Sequence, residues 1–277
     1  MPAPEPHPSR LPKPERAPAR ERLASGSRNP GDAGEAASDS APAPAPGLDA
    51  SVVIPARNEC DYICAALESV TEQTCGMAVI EAVVCANGCQ DATVAVSGDF
   101  GRAHAELKLR VLDDDSPGLA RAKNHGAAAA TGRVLIFLDA DSRLAPDLVE
   151  CVLERERQGM PAGSLKMVAD SDDLLDRGFF GVIEYGKRLF RIKANMLYCT
   201  REIFWRHGGF DESMNVAEDR DLLVRLQRAG VNVVHATETC IATSPRRLHI
   251  LPFRLGIVTT LGRWALAHAG IGRRWSY

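Results

Sequence analysis

Two acids close an apolar run in Val134-Leu135-Ile136-Phe137-Leu138-Asp139-Ala140-Asp141. Carboxylates are poor company for a buried strand, so the pair belongs where the strand ends and can meet water, a cation or a ligand. Oxygen donors suit a hard divalent cation such as Mg²⁺ or Mn²⁺, which keeps its waters and needs few protein carboxylates. The bland alternative is a solvated turn with Asp141 capping the next helix. A second acidic set, Glu218-Asp219 followed by Asp221, opens a segment with Leu222, Leu223 and Leu226 on one helical face. A carboxylate in a partly desolvated cleft can take a proton from a hydroxyl, and acids also suit the positive end of a helix. Basic groups that could face phosphates are Lys123 and Arg246-Arg247, with ordinary solvation as the competing account.

These residues need elements to hold them. Ser51-Val52-Val53-Ile54 is an apolar run that Pro55 should stop, and Ile63, Leu67 and Val70 then recur at helical spacing. A second strand ends in Asn87-Gly88, where a turn is expected, and the next helix should be capped by Asp91. A third strand, LKLRVLD, an Ala-rich helix closed by Gly132, and a fourth strand running into Asp139 follow. Beyond them the pattern predicts a helix over 146–158, strands near 162–168 and 195–199, and a helix over about 173–189. Further on it predicts a short helix closed on Gly208-Gly209 and the leucine-faced helix after Glu218. Strands alternating with helices at this spacing imply a doubly wound, mostly parallel sheet with helices on both faces. Ligands bind beyond the carboxyl ends of such strands, where residues 55–59, 86–91 and 139–141 converge.

Composition narrows the field. Thirty-three basic and 36 acidic residues give a net charge of −3, too small a field to attract nucleic acid, so an anionic ligand must be held locally. Residues 1–48 hold 11 of the 17 prolines and no Val, Ile, Phe, Tyr or Trp, and are expected to be a disordered tail without the pattern of a signal peptide. Eight scattered cysteines suit a reducing cytoplasm and are expected to be mostly small buried hydrophobes; no companion His cluster supports zinc at the two Cys-x3-Cys pairs. The single globular domain should therefore span 49–249. An amphipathic helical segment, 250–277, follows it, and Arg254 and Arg263 interrupt its apolar stretch, so it fails as a membrane span and suits docking on the domain or on the inner face of a membrane.

In this order, SVVIPARNE, VVCANGCQDAT, GLARAKNHGAAAATG, VLIFLDADSRLAPD, NMLYCTREIFWRHGGFDE and AEDRDLLVRL resemble the family 2 glycosyltransferases of the GT-A fold, over about 51–247. The resemblance implies transfer of one sugar, of hexosyl type, from a nucleotide diphosphate sugar to an unidentified acceptor hydroxyl, metal-dependent and with inversion. It makes Asp141 the metal ligand, Asp139 the residue meeting ribose or the metal's water shell, and Asp219 the catalytic base. The family's Pro-x-Tyr-Asn-Glu pattern stands here as Pro55-Ala56-Arg57-Asn58-Glu59, with Arg57 replacing the aromatic that lies against the base. Asn87 stands where the family has an Asp accepting from the base N3–H; its carbonyl can still accept, without the charge. Lys123 occupies the family's arginine position toward the diphosphate, and Arg246 and Arg247 lie on a loop suited to closing over phosphates. Thr260 stands where processive members carry Gln before Arg-Trp, which speaks for a non-processive enzyme. Two other readings compete: a sugar-nucleotide-binding protein without turnover, and a nucleotidyltransferase, which the glycine-free PARNECD loop disfavours.

Overall fold

The computed structural model describes residues 48–189, 192–214, 216–249 and 262. The expected tail, apart from Leu48, and the C-terminal segment, apart from Gly262, lie outside the described residues. The first half alternates β1 (Ala50–Ala56), α1 (Ile63–Thr71), β2 (Ile80–Asn87), α2 (Thr93–Ala103), β3 (Lys108–Asp114), α3 (Leu119–Ala129) and β4 (Val134–Phe137). The second half runs β5 (Ser142–Leu144), α4 (Leu148–Arg157), β6 (Ala162–Ala169), α5 (Leu174–Leu189), β7 (Leu197–Thr200), α6 (Arg201–Arg206), α7 (Glu218–Arg228), β8 (Val233–Thr243) and α8 (Arg246–His249).

The strands form one mixed sheet in the order β3-β2-β1-β4-β7-β6-β8-β5. The pairs β1/β2, β2/β3, β1/β4 and β6/β8 are parallel, whereas β7 runs antiparallel to β4 and β6, and β5 antiparallel to β8. Side-chain alternation along each strand supplies both faces. Val52, Ile54, Ala82, Val84, Val134 and Ile136 point to one core with α1 and α4; Val53, Val83, Leu135 and Phe137 point to the other with α3, α6 and α7. Burial on both faces explains why the central strands are continuous apolar runs rather than alternating ones.

Four local expectations need correction. Pro55 does not stop β1: pairing to β4 ends at Val53↔Phe137 while pairing to β2 continues to Ala56↔Ala86, so no N–H is asked of Pro55 on the β4 side. Gly132 does not close α3, which ends at Ala129; a Cβ at Gly132 would stand 2.5 Å from the Ala50 carbonyl carbon, so the residue is a point of close backbone approach. Asp91 is not the residue at the mouth of α2; it acts one position earlier, its Oδ1 accepting from the Thr93 N–H at 3.0 Å and the Thr93 hydroxyl at 2.5 Å. Of the cysteines only Cys85 and Cys199 are buried, and Cys64 lies exposed on the outer side of α1.

Glu81 is a buried charge with a structural task. Its carboxylate accepts from Ser51 Oγ (2.6 Å), Thr131 N and Oγ1 (2.5 and 2.9 Å) and Gly132 N (3.2 Å), and pairs with Arg110 (2.8 Å). Burial raises its pKa, but these bonds outweigh burial and leave it lowered. Glu81→Ala should cost about 3 kcal/mol, because it orphans several donors where α3 returns to β4. Urea unfolding checks this; a loss under ~1 kcal/mol would show that the network is dispensable.

Candidate active site

The parallel strands β1, β2 and β4 deliver their carboxyl ends to one rim, as the sequence pattern predicts. Three hydrogen bonds tie the loop after β1 to the loop after β2: Gln90 N–H to Asn58 Oδ1 (2.7 Å), Glu59 N–H to Thr93 Oγ1 (2.8 Å) and Cys60 N–H to Asp91 Oδ2 (3.1 Å). Asn58 stands in the left-handed region at φ 56, a conformation that asparagine tolerates better than most residues. Pro55 is buried and Arg57 exposed on this rim. Asn87, 4% exposed, donates its amide to the Gly118 carbonyl at 3.2 Å, which turns its own side-chain carbonyl away from that contact.

Leu138 leads into a turn over Asp139–Asp141, and β5 begins directly at Ser142, a strand the sequence pattern does not predict ahead of the helix it places over 146–158. Asp141 is therefore held at the start of β5, and its carbonyl accepts the Ser244 N–H at 3.0 Å. Its carboxylate, 5% exposed, meets Arg246 at 2.9 Å, and the same guanidinium bonds Glu59 at 2.6 Å. Beneath it lies the Tyr62 ring, 4.3 Å from the guanidinium carbon. Burial raises the pKa of Glu59 against the pull of Arg246. Arg246 and Arg247 open the short helix α8 rather than sitting on a loop.

A second cluster lies at the mouth of α7. Lys123, on α3 and 3% exposed, donates to Glu218 Oε1 at 2.7 Å and Asp219 Oδ1 at 2.8 Å. Ala217 precedes them with φ 64, a left-handed conformation that costs an ordinary residue ~1 kcal/mol and sets the direction in which the two acids leave the helix. Burial pushes the Asp219 carboxyl up to about 7, with Lys123 opposing and Glu218 reinforcing the shift. Lys123 itself is raised: burial lowers it, and Asp219, Glu218 and Asp139 together overcome that. Asp139 joins the two clusters. Burial raises its pKa, and it lies within electrostatic reach of Lys123, Asp141, Arg247 and Glu218.

The donor set fits a hard cation only in part. Asp139 and Asp141 offer carboxylate oxygens, and Glu59 Oε2 is buried without a hydrogen-bond partner. No cluster of three or more His, Cys, Asp or Glu poised for a metal occurs among the described residues. A cation here would have to complete its shell with water and ligand oxygens, as Mg²⁺ does on phosphate substrates. The late histidines bond other groups: His235 lies between Ser164 (2.9 Å) and Glu184 (3.0 Å), and His249 meets Asp176 (3.0 Å).

Sequence reasoning missed Tyr62 and the pairing role of Glu218. The first had a signal, an aromatic three residues beyond Glu59; the second had none, because residues 123 and 218 meet only through the fold.

The sequence pattern described as Glycosyl transferase family 2 matches residues 51–202. A dolichyl-phosphate beta-glucosyltransferase of Drosophila melanogaster is 32% identical over 154 residues, covering 50% of this chain and 47% of its own. Among solved structures, the mannosyltransferase PcManGT of Pyrobaculum calidifontis, in complex with GDP-Man and Mn²⁺, superposes with a TM-score of 0.60 at 22% identity, covering 81% of this chain and 67% of that one. S. aureus TarS 1–349 in complex with UDP gives 0.58 at 15% identity, covering 82% and 73%. These two likenesses establish the fold, a GT-A-like mixed sheet with helices. The chain spans 30% of the length of one curated relative and 60% of another.

Proposed function

The chain belongs to glycosyl transferase family 2, and from that membership we propose that it moves one sugar, with inversion, from a nucleotide diphosphate sugar to an acceptor hydroxyl. The observation that carries the reading is the pairing of two charged clusters: Asp141 and Glu59 on the Arg246 guanidinium at 2.9 and 2.6 Å, and Asp219 on Lys123 at 2.8 Å, with Asp139 within electrostatic reach of Asp141 and Lys123. The first suits a diphosphate and the second a hydroxyl.

In this mechanism Asp219 accepts the proton of the acceptor hydroxyl as its oxygen attacks the anomeric carbon. The bond to the diphosphate breaks on the opposite face, and the nucleoside diphosphate leaves with the electron pair. Lys123 orients Asp219 and keeps it partly ionised. Arg246 exchanges Asp141 and Glu59 for phosphate oxygens, and Arg247 adds charge beside it. Asp141, with Asp139 behind it, would hold a divalent cation, Mg²⁺ or Mn²⁺, which supplies Lewis-acid stabilisation of the leaving diphosphate. The side-chain carbonyl of Asn87 selects a base with a ring N–H, and Arg57 stacks on that base. GDP-Man and UDP in the two structural neighbours are both donors, or parts of donors, with such a base.

Titration with a panel of nucleoside diphosphate sugars, with and without Mn²⁺, tests the proposal through binding and donor hydrolysis. Asp141→Ala should lower Mn²⁺-dependent transfer by about 100-fold or more and abolish the Mn²⁺ dependence of donor binding seen by calorimetry. If no diphosphate sugar binds under any metal condition, the proposal fails. Binding in full with no transfer to any hydroxyl would favour a donor-binding protein instead.

A further inference from the structure

We propose that the outer face of α5 is a docking surface for an anionic phospholipid bilayer. Leu174, Leu175, Val182, Tyr185 and Leu189 are 60–80% exposed, and they are the exposed large hydrophobic side chains among the described residues. All five lie on this one 16-residue helix, with Gly178 and Gly181 between them. The opposite face is fully engaged. Phe180 is buried, Asp176 is bonded to Ser171 and His249, and Glu184 is bonded to Met167 N, His235 and Lys187.

Charge identifies the occupant. Both acids of α5 turn inward, so the charged groups left on the outer side are Arg177 and Arg188; Asp172 and Asp173 mark only the N-terminal edge. An apolar face with tyrosine and flanked by arginines is the pattern of a helix lying in a membrane interface. A second copy of the chain would bring two further arginines to a face that already holds two, with only Asp172 and Asp173 at one end of the helix to answer them. Residues 250–277 would answer it no better: they carry Arg254, Arg263, Arg273 and Arg274 and no Asp or Glu. That segment begins directly after His249, which Asp176 binds to the inner face of α5. Arg177 and Arg188 flank the apolar stripe of α5, and the sequence of residues 250–277 adds arginines without an acid; an anionic lipid surface is the partner that answers both sets of charges. No described helix is long and apolar enough to cross a membrane, so the contact lies along the surface.

The test is sedimentation of the full chain with vesicles of phosphatidylcholine containing roughly a third phosphatidylglycerol, against phosphatidylcholine alone. The wild type should bind the anionic vesicles at least ~10-fold more tightly, and raised salt should weaken that binding. Val182→Glu with Tyr185→Glu should abolish it, and Arg177→Gln with Arg188→Gln should flatten the salt dependence. Unchanged circular dichroism and melting show that these exposed substitutions leave the fold intact; Val182→Ser with Tyr185→Ser serves if the acids disturb the helix. The proposal is overturned if the wild type stays in the supernatant, or if the Val182/Tyr185 variants bind as well as wild type, which would assign the contact to residues 250–277 alone. A solution dimer that those variants split, without vesicle binding, would assign the face to a second copy and overturn it equally.

Discussion

Asp219→Asn is expected to lower the transfer rate by about 10³-fold while donor affinity changes by no more than a few-fold. Asparagine keeps the shape and the hydrogen bond from Lys123, 2.8 Å away in the native pair, but cannot take a proton. The pH profile supplies the sharper reading. Burial pushes the Asp219 carboxyl up to about 7 despite Lys123, so wild-type kcat/KM should climb as pH rises through about 7 and this acid gives up its proton. In the asparagine variant that limb disappears. A variant with wild-type transfer, or one that keeps the limb, would remove Asp219 from the role of base.

Lys123→Met should cost the fold about 3–5 kcal/mol, since it leaves Glu218 and Asp219 partly desolvated beside each other without their cation. The sign of the pH effect follows from the carboxyl it abandons. An acid whose folded pKa lies above its unfolded value destabilises the fold as pH rises from the unfolded to the folded value, and the full penalty remains above that. For Asp219 that window runs from the ordinary 3.8 to about 7 in the wild type. Lys123 lowers the folded value, so its loss should extend the window upward and move the rising limb of activity to higher pH. Urea unfolding at acid and neutral pH, with a kcat/KM profile, reads both effects. If the variant is as stable as wild type at neutral pH, the pair is not the structural tie its geometry implies.

How far the sequence could be read depended on whether a residue's partner was near or distant along the chain. The apolar runs of β1, β2 and β4 were legible because burial on both faces of a parallel sheet leaves a continuous pattern. Asp139, Asp141 and Asn87 were legible as strand-end residues for the same reason. The three-residue strand β5 was not, since so short an element has no period to display, and its existence depends on β8 a hundred residues later. Lys123 could be seen as a basic helical residue, but its two partners lie 95 and 96 residues away, so its placement against Asp219 awaited the fold. Arg246 shows the same limit. Its charge was evident, whereas its simultaneous hold on Glu59 and Asp141 required β8 to return beside β5.

The hydrogen bonds from Gln90, Glu59 and Cys60 that join the loops after β1 and β2 bear on how donor preference could be re-engineered. A graft of residues 57–60 alone would arrive without its acceptors at Asp91 and Thr93, and a graft of residues 87–93 alone would lose Asn58. The two loops form a single exchangeable cassette, and under the proposed mechanism a chimera meant to retune base choice has to carry both halves from the same parent.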